Sequence, residues 1–162
     1  MSRTPEIKAF YDGFAAQQAA TGVNERHRSI HRIALDHGLA DGMRVLEMGC
    51  GIGTLTGLLV KHVPNGTLLA VDLSPVSIER AKAALGHHHQ LDLRVADVVA
   101  DSLPGPFDLI ILPDILEHIP LELHPTLFKR LCADLAPGGR IVIHSPEPHY
   151  SNHIRVTRPE LL

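Results

Sequence analysis

Cysteine is scarce, charge is dispersed and no apolar run is long, and each deficit removes a class of protein. The 162 residues carry two cysteines, Cys50 and Cys132, far apart and without a CxxC partner. Neither a disulfide framework nor a structural zinc site is expected, and reduced thiols are the simple reading. The longest apolar stretch, "LIILP" at 109–113, is far too short to span a bilayer, and the first twenty residues hold no continuous apolar segment. A soluble, cytoplasmic protein is therefore expected, with no membrane partner. Fifteen Lys and Arg stand against eighteen Asp and Glu, a net charge of -3, with no block of like charge. Without a basic stripe interleaved with aromatics, a nucleic-acid partner is not expected. There is no internal repeat.

What is present suits a globular chain: 44% of residues are apolar, enough for one core. Twelve histidines include "HHH" at 87–89. That triplet follows Gly86 at an expected helix end, where the helix dipole favours a solvated basic loop, so it is read as a loop and not as a metal tract.

Ile7, Phe10, Tyr11 and Phe14 recur at helical spacing and predict a short amphipathic helix. A second helix is expected from Asn24 to His37, burying Ile30, Ile33 and Ala34 and stopped by Gly38. Strand-like runs then alternate with helical periodicity: "RVLEM", a helix over Thr54 to His62, "TLLAVD", and a helix capped by Ser74 with Pro75 in its first turn. "LDLRV", a Pro/Gly loop, "FDLIIL", a helix ending near Leu135, the turn "APGG" and "RIVIHS" complete the series. Five strands alternating with helices predict an α/β fold: a doubly wound, Rossmann-like parallel sheet with helices on both faces. Residues 1–40 read as a helical cap or lid and 41–162 as the Rossmann-like body. In "TRPELL", Thr157 and Glu160 have capping-box spacing, so a helix is expected to begin where the sequence stops. The C-terminal strands of the sheet are accordingly expected to be missing. The fifth strand would then be a bare edge unless another chain, such as the second copy of a homodimer, covers it.

The chemistry is concentrated in "VLEMGCGIG" at 45–53, where a strand runs into Gly49, Gly51 and Gly53 with Glu47 just before them. Glycines there permit positive φ and close approach of a ligand to backbone, and a helix start beyond them is expected to offer free amide donors. The dinucleotide fingerprint GxGxxG is not met, since the spacing is GxGxG and Thr54 follows. A carboxylate at Glu47 would also repel pyrophosphate in a poorly screened cleft, whereas a cationic ligand removes the conflict.

These residues, and the order of the segments from Val45 to Ser145, resemble the class I S-adenosylmethionine-dependent methyltransferases. The resemblance implies S-adenosylmethionine as cofactor and methyl transfer to oxygen or nitrogen of a small-molecule acceptor. It implies cofactor contacts from Glu47, Gly49, Cys50, Gly51 and Gly53; from Asp72, with Leu73, to the ribose hydroxyls; from Asp97 and Val98 to adenine; and from Leu112 at the fourth strand. Tyr11 would contact the methionine tail from the lid. Asp72 and Asp97 also read as turn or cap residues, and Cys50 as a small filler without an activating neighbour.

Beyond the fourth strand, "PDILEHIP" holds Asp114, Glu117 and His118, which share a face if the segment makes one helical turn. His118 or Glu117 is a candidate base for an acceptor that must lose a proton. Some members of the resembled family hold a divalent metal through a Glu-x-x-Glu-His element and a later histidine. Asp114, Glu117 and His118, with His144 or His149, are similar to that set and are candidate ligands for a divalent ion such as Mg, Mn or Zn. Two rivals remain: an NAD(P)-dependent oxidoreductase of similar topology, and a methyltransferase-like domain that binds or scaffolds without catalysis.

Overall fold

A computed structural model describes residues 22–147 and Val156. The expected helix over Ile7 to Phe14, with Tyr11, lies outside the described residues, as do His149 and the capping box at Thr157 and Glu160. The elements, in chain order, are α1 (Glu25–Asp36), β1 (Arg44–Met48) and α2 (Thr56–Leu59), which tightens into a 3₁₀ turn (Val60–His62). Next come β2 (Thr67–Asp72), α3 (Pro75–Leu85), β3 (Leu91–Val95) and β4 (Phe107–Pro113). Two 3₁₀ turns (Leu116–His118 and Leu121–Leu123) lead into α4 (His124–Asp134) and β5 (Leu135–His144).

The five strands form one parallel sheet in the order β3-β2-β1-β4-β5. The direction of winding reverses between β1 and β4, which opens a crevice outside the carboxyl ends of those two strands. Side chains alternate across the sheet. Val45, Leu109 and Ile111 pack with Ile30 of α1 and Leu55 and Leu59 near α2. Leu46, Ile110 and Leu112 pack with Leu127 and Leu131 of α4 on the other face. Each of these fully buried side chains contributes about 1.5–3 kcal/mol. With both faces covered, β1, β2 and β4 are buried almost end to end, as the continuous apolar runs require.

Local chemistry sets the boundaries. Asn24 and His27 form a reciprocal cap at the start of α1: the His27 amide donates to Asn24 Oδ1 at 3.2 Å and the Asn24 amide to His27 Nδ1 at 3.3 Å. Gly38 ends the segment at φ 98°. Ser74 caps α3 by accepting from the Ser77 amide at 3.1 Å. The helix expected over Thr54 to His62 is shorter than its periodicity suggests. It begins at Thr56 and loses α geometry after Leu59, because Val63 precedes Pro64 and cannot stay helical. The turn "APGG" lies inside β5: Leu135 pairs with Phe107 and Arg140 with Leu109, so residues 136–139 loop out, with Gly138 at φ 78°. None of the described helices is long and apolar enough to cross a membrane.

Candidate functional site

Glu47 occupies the central strand β1, in register with Ala70 of β2 and Ile111 of β4. Alternation turns it to the same face as Val45, toward α1 and α2, at the mouth of the crevice. It is 0% exposed. Neither carboxyl oxygen has a hydrogen-bond partner, and nor does the buried hydroxyl of Thr56. Burial pushes the acid up to about 7; the nearby charge of Asp72 adds to this, and the Thr56 hydroxyl opposes it without reaching bonding geometry. The cleft in front of it is lined by Arg26, His27, Gly49, Gly51, Thr54 and Pro113, among others, and its enclosed recess of about 30 Å³ would hold little more than a water.

The glycine loop is fastened to the protein. Gly49, Gly51 and Gly53 have φ of 76°, 54° and 87°, a conformation that costs any other residue. A Cβ on Gly49 would come within 2.2 Å of Ile115 Cγ2, and one on Gly53 within 2.8 Å of Leu85 Cδ1. The amides of Gly49 and Cys50 donate to Val71 O at 2.8 and 3.0 Å, and Gly53 donates to Cys50 O at 3.0 Å. Gly51 donates to Asp72 Oδ2 at 2.8 Å. Four amides of the loop itself are thus engaged, ahead of α2, which is four residues long.

Asp72, at the end of β2, is half-buried and accepts from Gly51 and, through Oδ1, from the Ser74 amide at 2.8 Å. Leu73 beside it is half-buried. Asp97 accepts from the amides of Val99 and Ala100 on Oδ1 at 2.9 and 3.3 Å, a turn geometry, next to half-buried Val98. Cys50 is buried, and its thiol is raised by burial and then by Glu47 and Asp72, which suits a filler better than a nucleophile. Leu112 is 0% exposed and packs in the core against α4. Its side chain is therefore turned away from the crevice, and a ligand contact there falls to backbone alone.

At the end of β4, Asp114 adopts φ 53°, a sparsely populated conformation for a residue with a side chain. Its Oδ2 accepts from the Arg26 guanidinium and its Oδ1 from His144 Nδ1. A carboxylate can only accept, so His144 Nδ1 carries the proton of this bond. Glu117 and His118 lie on the adjoining 3₁₀ turn. Burial, helped by the charge of Asp114, raises the Glu117 acid; burial lowers His118, with Asp114 opposing. The turn itself is pinned by His124 Nε2, 3.2 Å from Leu116 O and 3.0 Å from Ile119 O.

Asp114, Glu117 and His118 do not converge as a metal site: among the described residues no group of three His, Cys, Asp or Glu is arranged to hold an ion. The reason is visible at Asp114, whose two oxygens already face a guanidinium and an imidazole. A divalent cation would have to displace the guanidinium or the imidazole from an oxygen it already occupies. Two participants, Thr56 and Pro113, carried no signal in the sequence. "NERH" at 24–27, which holds Arg26 and His27, reads either as a contributor to this cleft or as a solvated helix start, and the structure places both residues in the lining.

Residues 14–160 match the model of a family described as a methyltransferase domain. The chain belongs to this methyltransferase family. It is 31% identical over 142 residues to trans-aconitate 2-methyltransferase of Azoarcus sp. strain BH72, covering 88% of this chain and 54% of that protein. It is 36% identical over 106 residues to the ubiquinone biosynthesis O-methyltransferase of Xanthomonas euvesicatoria pv. vesicatoria, covering 63% and 42%. Among solved structures, the N-methyltransferase NodS of Bradyrhizobium japonicum WM9 in complex with S-adenosyl-L-homocysteine superposes with a TM-score of 0.65 at 28% identity, covering 74% of this chain and 59% of that one. The fold is the Rossmann-like methyltransferase fold. The chain spans about half the length of the curated relatives it matches.

Proposed function

We propose that this protein is an enzyme that transfers a methyl group from S-adenosylmethionine to oxygen or nitrogen of a small molecule. The observation that carries the reading is Glu47: a buried, unpartnered carboxyl at the crevice behind a loop whose amides are engaged. Such a site suits a phosphate-free nucleoside with an ammonium group better than a dinucleotide. Relatives named as O-methyltransferases and an N-methyltransferase holding S-adenosylhomocysteine support it.

In this reading the cofactor supplies a methyl on a sulfonium, a leaving group that needs no acid. The protein's work is alignment and, for some acceptors, removal of a proton. Glu47 would hold the ammonium. Gly49, Cys50, Gly51 and Gly53 let the tail run along the loop, and Tyr11 belongs over that tail. Asp72, at the end of β2, would take the ribose hydroxyls, with Leu73 alongside. Asp97, bonded to the turn through Oδ1, would turn Oδ2 to the adenine amino group, with Val98 against the ring and Leu112 contributing backbone. His118, held neutral by burial, is the first candidate base and Glu117 the second. We place the enzyme in the cytoplasm, acting on a small molecule and not on nucleic acid, with residues 1–40 as lid. The β5 edge is the surface where a second copy would pair in a homodimer.

Two measurements test this. S-adenosylhomocysteine at a hundredfold over its Kd should stabilise the protein by about 2.7 kcal/mol and raise its Tm, while NAD should not. Label from methyl-tritiated S-adenosylmethionine should pass to hydroxyl- or amine-bearing small molecules. Binding without any transfer would favour the scaffold reading, and stabilisation by NAD alone would favour the oxidoreductase.

A further inference from the structure

Among the described residues Glu47 is the one fully buried carboxyl, and neither of its oxygens has a donor. An ionised carboxylate left alone in apolar surroundings is costly, and such a group keeps its proton instead. We infer that ligand binding in this cleft is coupled to a proton: the Glu47 carboxyl releases its proton to solvent as the ligand's ammonium takes the place beside it. This rests on the reading proposed above and adds a thermodynamic signature to it.

The surroundings leave Glu47 as the group able to respond. From β2 it faces the charge of Asp72, and from the loop the thiol of Cys50; neither is a cation, and both disfavour its ionisation or are disfavoured by it. From α2 it faces the neutral hydroxyl of Thr56, and beside it on β4 lies Ile111. Arg26 and His27 of α1 line the same cleft. Arg26 is held by Asp114, and the ring of His27 accepts the Asn24 amide through Nδ1. Burial and then Arg26 lower the basicity of His27, with Asp114 opposing. The balance of the step is simple. The O–H bond of Glu47 breaks, one proton enters the buffer, and the ligand's ammonium keeps its three protons against the new carboxylate. The direction agrees with an acid raised to about 7 in the ligand-free protein.

The consequence is affinity that depends on pH. Titration calorimetry of the protein with S-adenosylhomocysteine, in buffers of different ionisation enthalpy, should count about one proton released per ligand near pH 6. The Kd should tighten about tenfold per unit from pH 5.5 to 6.5 and level off above about 7.5. 5′-Methylthioadenosine, which lacks the amino-acid tail, should bind with no such release. In Glu47→Gln the release should vanish and S-adenosylhomocysteine should bind at least tenfold more weakly, without pH dependence over this range. Binding of S-adenosylhomocysteine with no proton exchange, or with the same release in Glu47→Gln, would overturn the inference while leaving the cofactor assignment intact. Absence of S-adenosylhomocysteine binding at every pH, with NAD bound, would instead overturn the assignment and the inference with it.

Discussion

Two acids stand at the carboxyl ends of neighbouring strands, and the protein treats them in opposite ways. Glu47 at β1 is buried with no partner and is pushed up to about 7. Asp114 at β4 is almost as buried, with 9% of its side chain exposed, yet it holds a guanidinium on one oxygen and an imidazole on the other. A paired acid completes its own surroundings and behaves as structure. An unpaired one is a site waiting for charge. The same crevice therefore has an unpartnered acid at β1 and a partnered one at β4, and under the proposed function a cationic nucleoside would take its place beside the first.

Substitutions sharpen that contrast. The largest effect is expected from Gly49→Val. A β-branched residue at φ 76° meets both backbone strain and Ile115 at 2.2 Å, so urea unfolding should show a loss of about 3–5 kcal/mol. Next is Glu47→Gln, whose sign is opposite. Glu47 has a folded acidity constant above its unfolded value of 4.5, so the folded state binds the extra proton and wild-type stability falls as pH rises from about 4.5 through about 7. The variant should match wild type at about pH 4 and exceed it by about 3 kcal/mol at pH 8. Identical pH profiles would mean that Glu47 is ionised or paired throughout.

Asp72→Ala removes the acceptor for the Gly51 and Ser74 amides and should cost about 2 kcal/mol, readable by thermal unfolding. The smallest change is expected at the paired acid's outer partner. Arg26 has 43% of its side chain exposed, so Arg26→Ala should cost under about 1 kcal/mol, and less in high salt. A loss of several kcal/mol there would show that the pair at β4 is the more important of the two arrangements.

The contrast also explains what the sequence made legible. The β1 region is built from residues close in the chain. A strand period, three glycines and the acid ending the next strand all lie between positions 44 and 72, so pattern and turn chemistry locate them. The cap at Ser74, the helix start near Asn24 and the stop at Gly38 were readable for the same reason. The β4 region joins Arg26, Asp114 and His144 across 88 and 30 residues, and only the strand order brings them together. Short-range rules also miss competition among neighbours. The expected helix at Thr54 is cut back by Pro64, and the amides of Gly49, Cys50 and Gly51 are taken by Val71 and Asp72. Leu112 illustrates a further limit: motif order marked the strand end, while the face of the strand decided that its side chain belongs to the core.

A structure with S-adenosylhomocysteine bound would test the central assignment most directly, through the distance from the ligand's amino nitrogen to the Glu47 carboxyl. The account predicts hydrogen-bond contact, about 3 Å, with Glu47 no longer orphaned. An amino-acid tail directed elsewhere, with both Glu47 oxygens still unpartnered, would contradict it.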